Sequence, residues 1–225
     1  MKQNKKMVNY FKKWEGMGAF GIGLLGVGAL ITWLQISFTL HVISMFLIAI
    51  GAVAFLYGNI GRGTESQITD SIAQNIESIR FPELEEDPKL RKRTPKEPQE
   101  LTFEAFEMRN GLYFKKKKDA SVISSEYTYI KMVVLSDAFY LKKRTFSFIT
   151  DEKINETLDI PFDSIKDIEI IRNTLMVGHG DKPQHRVKTC HIAITYGDGQ
   201  QILLPKKDDV YIDDFVLELK KKCGK

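Results

Sequence analysis

From Gly16 to Gly61 the chain carries no Asp, Glu, Lys or Arg, and His41 is the only side chain there that can charge near neutral pH. One spanning helix needs about 20 apolar residues. The run is long enough for two spans and a tight turn, and too long for one. It predicts one helix from Gly16 to about Ile36 and a second from about Phe38 to Ile60. Gln35, Ser37, Thr39 and His41 are the most polar part of the run and mark the turn. A buried hairpin in a globular protein would carry charge on its outer faces. A cleaved signal peptide would be shorter and closely followed by a small-x-small site. Here the A-V-A at Ala52–Ala54 lies inside the second apolar run.

Past the hairpin the pattern turns helical again. Ile68, Ile72, Ile76 and Ile79 recur every three or four residues, with Ala73 beside them. Thr64 and Gln67 have capping-box spacing. This predicts an amphipathic helix of four turns with a narrow isoleucine stripe, either a self-association seam or a surface docked on the soluble domain. It is too short to be a stable coiled coil alone. Residues 81–100 hold four prolines and a dense mix of charges, acidic from Glu83 to Asp87 and basic from Lys89 to Lys96. That composition predicts an extended, poorly ordered linker, its R-K-R cluster solvated.

From Leu101 the period becomes two. Strands are expected in the region of Phe103, around Leu112–Lys115, over Tyr127–Leu135, Phe139–Arg144, Leu158–Ile160 and Ile165–Ile171, and on both sides of G-D-G at 197–199. Asn110-Gly111 favours a tight hairpin, and Ser136-Asp137-Ala138 is a turn. The segment Asn173–Gln184 reads as loop. The last stretch is a helix, acidic at its start and basic at its end as the dipole prefers, with Val210, Ile212, Phe215 and Leu219 on its apolar side.

Charge orients the hairpin. Lys2, Lys5, Lys6, Lys12 and Lys13 precede it, Arg62 follows it, and the turn has no Lys or Arg. The positive-inside rule then places both termini and the soluble domain in the cytoplasm, at the inner (cell) membrane, with Trp14, Trp33 and Tyr57 as interfacial anchors. The tail itself, with Tyr10, Phe11 and Trp14 beside Lys12 and Lys13, suits an interfacial helix on anionic lipid. The plainer reading, which we prefer, is a first turn with an orienting charge cluster. The formal net charge of +4 is matched by the +4 of residues 1–15, so it signals topology and not a nucleic-acid surface.

Gly21, Gly23 and Gly26 spell the dinucleotide fingerprint, but inside an apolar run and not after a strand. The small residues fit helix packing better. Ala19 with Gly23, Gly28 with Thr32, and Ala54 with Gly58 are small-xxx-small pairs that would pack the two helices, or one chain against another. Cys190 and Cys223 are expected as free thiols. His179, His185 and His191 lie close in sequence with Asp181 and Cys190, but strand phase sets His191 opposite Cys190, Ile192, Ile194 and Tyr196. We therefore expect no metal site, no cofactor and, with no nucleophile–base–orienter set, no enzyme.

The strand order, with N-G-L-Y-F-K, Y-I-K-M-V-V-L-S-D-A-F-Y-L-K-K, I-P-F-D-S-I-K-D-I-E-I-I, I-A-I-T-Y-G-D-G-Q-Q-I-L-L-P and the final helix, resembles the pleckstrin-homology superfold and its GRAM and bacterial membrane-tethered versions. The resemblance covers about Asn110 to Lys222. It implies a bent β-barrel of about seven strands closed by a helix, with Phe215 and Leu219 as the plug. In lipid-binding members, basic residues near the first hairpin grip an inositol phosphate. Lys117 or Lys118 and Lys131 take two of those places, and Tyr129 stands where the middle one is expected. Lys115–Lys118 (Lys115, Lys116, Lys117, Lys118) are thus anion candidates, with Lys142, Lys143 and Arg144 beside Phe146 and Phe148 as a second set.

The expected organisation is a basic tail (1–15), a two-helix transmembrane hairpin (16–60), an amphipathic helix (61–80), a linker (81–100) and a PH-like domain (101–225). The expected role is a membrane-anchored adaptor or scaffold for a protein or anionic lipid, with homo-oligomers possible. The alternative is a signal-gated effector whose hairpins assemble to permeabilise the membrane, and an inward-facing polar cluster in the β domain would favour it.

Overall fold

The structure, a computed structural model, describes residues 3–12, 16–34, 37–117, 119–178 and 185–224. The chain forms two compact units, residues 3–67 and the part from Ile68 onward.

The first unit holds α1 (Lys5–Lys12), α2 (Gly16–Leu34) and α3 (Phe38–Asn59). The last two are long and apolar enough to cross a membrane. Ser37 starts α3 by accepting a hydrogen bond from the Leu40 amide at 3.3 Å. Gln35 and Trp14 lie outside the described residues; Trp33 and Tyr57 are exposed.

The helices meet along a seam that includes the expected Gly28, Thr32 and Gly58 and leaves out the expected Ala19–Gly23 pair. A Cβ on Gly21 would come within 2.4 Å of the Phe55 amide, on Gly58 within 2.6 Å of the Gly18 amide, and on Gly28 within 2.9 Å of the Ser44 carbonyl. Gly51 faces Gly21 and Leu25 in the same way. Gly23, expected in the seam, meets nothing within 4 Å, and Ala19 is exposed. The reason is phase. Gly21, Leu25, Gly28 and Thr32 recur every three or four residues along one face, and Ala19 and Gly23 fall off it. Thr32 and Ser44 share a 2.7 Å hydroxyl hydrogen bond across the seam, so its polar groups are satisfied internally.

The tail is folded. Met7, Tyr10 and Phe11 of α1 are buried. The Gly63 amide donates to Lys6 O at 2.8 Å, Asn9 Nδ2 donates to Gly61 O at 3.0 Å, and the Arg62 guanidinium lies 5.9 Å from the Tyr10 ring centre. Thr64 and Gln67 form the reciprocal capping box, both bonds 3.3 Å. They open α4 (Glu65–Glu77), which carries the chain into the second unit.

There the linker expectation fails. Residues 83–86 and 88–93 form α5 (Glu83–Glu86) and α6 (Pro88–Arg93). Asp87 caps α6, accepting from the Lys89 amide at 2.8 Å, and Pro88 follows in the first turn. The Asp-Pro start signal was present; composition masked it.

The β part is three sheets, not the closed barrel expected. β1 (Gln99–Phe106), β4 (Glu126–Val134), β5 (Ala138–Ser147) and β6 (Lys153–Pro161) form an antiparallel sheet in that order. β2 (Phe114–Lys116) and β3 (Val122–Ser124) pair separately, and β7 (Ile165–Val177), β8 (His185–Tyr196) and β9 (Gln200–Pro205) form the third sheet. Asn110-Gly111 makes a turn, Gly111 at φ +91°, but joins no hairpin, because β1 pairs with β4. The excursion between them packs Leu112 and Phe114 against Val177, a contact no local turn signal announces. The expected loop Asn173–Gln184 is strand up to Val177.

One core joins Phe103, Ile130, Met132, Phe139 and Leu141 of the four-stranded sheet to Ile168, Ile192, Ile194 and Leu204 of the three-stranded one. Ile212, Val216 and Leu219 of α7 (Ile212–Lys222) complete it. Val210, expected on the apolar side, precedes the helix and is 85% exposed. Phe215 is half-buried, its ring 6.1 Å from Phe103.

Candidate functional site

Alternation along β4 and β5 decides what each basic residue can do. Lys131 and Lys142 face each other across the two strands, as do Tyr129 and Arg144. All four basic candidates there have partners inside the chain. Lys131 pairs with Glu100 at 2.7 Å. Lys142 pairs with Glu83 at 2.5 Å and donates to Arg80 O at 2.8 Å. Lys143 pairs with Glu156 at 3.1 Å. Arg144 donates to Asn155 Oδ1 at 2.6 Å, to Asn75 O at 2.7 Å and to Ser78 Oγ. The Asn75 carbonyl belongs to the last turn of α4, where a cation is favoured. Of the other set, Lys115 is buried and Lys116 exposed on β2, Lys117 follows half-buried, and Lys118 lies outside the described residues.

These bonds bind a strap, residues 75–94, across the sheet. Ile79 is buried, Ile72 and Ile76 half-buried, and Ile68 buried. Phe81 packs 5.8 Å from the Tyr140 ring. Phe81, Leu84 and Leu90 cover Val133, Leu135 and Ala138. Arg93 closes the strap, with Nε to Asp137 at 2.7 Å and both Nη groups to Asp159 at 2.6 and 3.0 Å. These two carboxylates raise the Arg93 pKa further above its ordinary value. Lys142 draws the Glu83 carboxyl below its ordinary value, against the desolvation that is the largest single influence on it.

The other surface of the four-stranded sheet borders a cleft of about 1030 Å³ toward the three-stranded sheet. Glu107, Thr128, Lys143, Glu156, Thr189 and His191 line it. The Thr128 hydroxyl donates to Glu107 and shares a 2.7 Å bond with Thr145. Thr189, which also lines the cleft, has its Oγ1 buried with no hydrogen-bond partner among the described residues. Burial pushes His191 below its ordinary pKa, and the nearby Glu107 charge opposes the shift. Cys190 packs in the core with Ile192 and Ile194, and burial pushes its thiol pKa up. His179 and Asp181 lie outside the described residues. Among the described ones no three His, Cys, Asp or Glu side chains gather as a metal set.

No known protein family, curated protein or solved structure matches the chain. The cleft therefore stands on its own chemistry. It offers an anchored ammonium, two carboxylates, hydroxyls and a neutral imidazole beside an apolar core, which suits binding of a polar organic ligand or a polar peptide segment.

Sequence reasoning gave docking on the soluble domain as one reading of the helix that supplies residues 75–80 of the strap, but missed its continuation over 81–94 and the cleft. The cleft residues come from β1 and the residues just after it and from β4 to β9, and nothing in their spacing announces that the sheets bring them together.

Proposed function

We propose that the chain is a membrane-anchored binding module. The α2–α3 hairpin inserts with both termini in the cytoplasm. The β domain belongs to the pleckstrin-homology-like superfold and acts as a tethered adaptor that takes its ligand in the cleft. One observation carries this reading: a roomy cleft of mixed apolar and polar lining, with charged side chains at Glu107, Lys143 and Glu156, in a domain covalently tied to a hairpin free of charged side chains. The strand order supports the superfold. Four antiparallel strands, interrupted by the β2–β3 ribbon, are followed by three and then by the helix. A basic anion-gripping patch is the weaker reading, since Lys131, Lys142, Lys143 and Arg144 are engaged inside the chain.

The effector alternative has its own support. The Glu107–Thr128 and Lys143–Glu156 pairs both line the cleft, and an inward-facing polar cluster of this kind favours that reading. A ligand library screened by thermal shift on the detergent-solubilised chain tests the binding reading. A hit must lose its effect in Thr189→Val and Lys143→Met. Stabilisation that survives both variants would move the ligand out of the cleft. If the hit also changes oligomer mass, the effector reading gains over the adaptor. Orientation is tested in a Cys223→Ser background with Ser37→Cys and Glu97→Cys. On intact cells an impermeant maleimide should label position 37 and not 97, and the reverse would overturn the topology.

A further inference from the structure

β6 is an open edge. It runs nine residues, Lys153–Pro161, and among the described residues pairs with β5 alone. Residues 153–157 are exposed, and Ile154 is 50% exposed despite its size. The register with β5 runs from Ala138↔Pro161 to Phe146↔Lys153 without a shift, so no bulge twists the edge away. The one proline closes the strand's end. A long, flat, unpaired edge is a template for another strand unless it is blunted.

We infer that β6 pairs antiparallel with β6 of a second copy of this chain, about a two-fold axis at Glu156. The sequence is self-complementary about that point. Lys153 falls opposite Asp159, Ile154 opposite Leu158, and Asn155 opposite Thr157. Opposite charges and apolar pairs facing across strands are the contacts that stabilise a sheet. Neighbouring registers lose this. Centring on Asn155 sets Ile154 against Glu156, and centring on Thr157 sets Glu156 against Leu158 and Asn155 against Asp159. A continuous sheet with a perpendicular two-fold requires residues of like facing to oppose each other, which excludes the odd registers. Glu156 against its own copy is adverse, and Lys143 already lies 3.1 Å from that carboxylate; Asp159 and Asn155 would face their cross-strand partners while keeping their bonds to Arg93 and Arg144. Ser147 and Glu152 end the hairpin at the near side through a 3.2 Å backbone bond, so no loop residue intervenes along the strand. The interface is small, and confinement of copies in one membrane raises their local concentration.

The test is a cysteine scan of the full chain in native membranes, in a Cys223→Ser background with Cys190 left buried. Under mild oxidation Glu156→Cys should form a disulfide dimer, because directly opposed Cα atoms fall within disulfide range. Lys153→Cys and Asp159→Cys should not, since each lies far from its own copy in this register. Co-expressed Asn155→Cys and Thr157→Cys should yield the mixed dimer, which leaves Glu156 and its lysine intact. No dimer at 156 together with none from the mixed pair, or equal yields at 153 and 156, would overturn the pairing.

Discussion

Lys131 and Lys142 stand directly opposite each other on β4 and β5, and both set their ammonium groups over the ring of Phe81, at 5.5 and 5.3 Å from its centre. Two like charges facing across a sheet repel. Here the ring's negative face and Glu83, both on the strap, and Glu100 of the neighbouring strand β1 offset the repulsion. The strap is thus held where the sheet's own charges need it.

Phe81→Ala should loosen the strap without unfolding the β domain. The lost packing and two cation–π contacts amount to about 2 kcal/mol. Limited proteolysis should cut between residues 79 and 94 faster, and the domain fragment should retain its circular dichroism. Unchanged cleavage would mean that Leu84, Leu90 and Arg93 hold the strap unaided.

Arg93→Ala should cost about 2 kcal/mol, because it removes a three-bond fork to Asp137 and Asp159 and leaves two carboxylates side by side. Arg93→Lys should recover less than half, since an ammonium cannot reproduce the planar fork. Chemical denaturation of wild type and both variants checks the order.

The hairpin predicts opposite signs for two glycines. Gly21→Ala drives a methyl to within 2.4 Å of the Phe55 amide and should destabilise the helix pair by about 1–3 kcal/mol. Gly23→Ala meets open space and should be neutral or stabilising by up to about 1 kcal/mol through helix propensity. Thermal unfolding in detergent distinguishes them, and equal losses would refute the seam.

His191 should make the domain acid-sensitive. Its folded pKa lies below the ordinary 6.5 because burial disfavours the imidazolium. The unfolded chain therefore takes up more protons between the depressed value and 6.5, so stability falls as pH drops through that window. His191→Gln should flatten the melting-temperature profile between about pH 7 and about pH 5. A profile with unchanged slope would assign the acid sensitivity elsewhere.

The sequence by itself determined the elements whose signal is local. A charge-free run long enough for two helices, the Thr64–Gln67 capping box, the Ser136–Ala138 turn, the period-two strands and the closing helix were all legible, because each rests on composition or spacing within a few turns of chain. It also set Cys190 with Ile192 and Ile194 on the core side. Only the tertiary structure decided the rest. Whether Gly21 or Gly23 lies in the helix seam depends on a rotation set by α3. The segment 81–94 reads as solvated linker because its charges have no partners nearby in sequence; those partners are Lys142, Asp137 and Asp159, 44 to 66 residues away along the chain. The cleft gathers side chains from strands far apart in sequence, and Lys131, Lys142 and Lys143, expected to grip an anion, hold the chain's own carboxylates and, for Lys142, a carbonyl. Spacing records which side of a strand a residue occupies, and packing alone settles what it meets there.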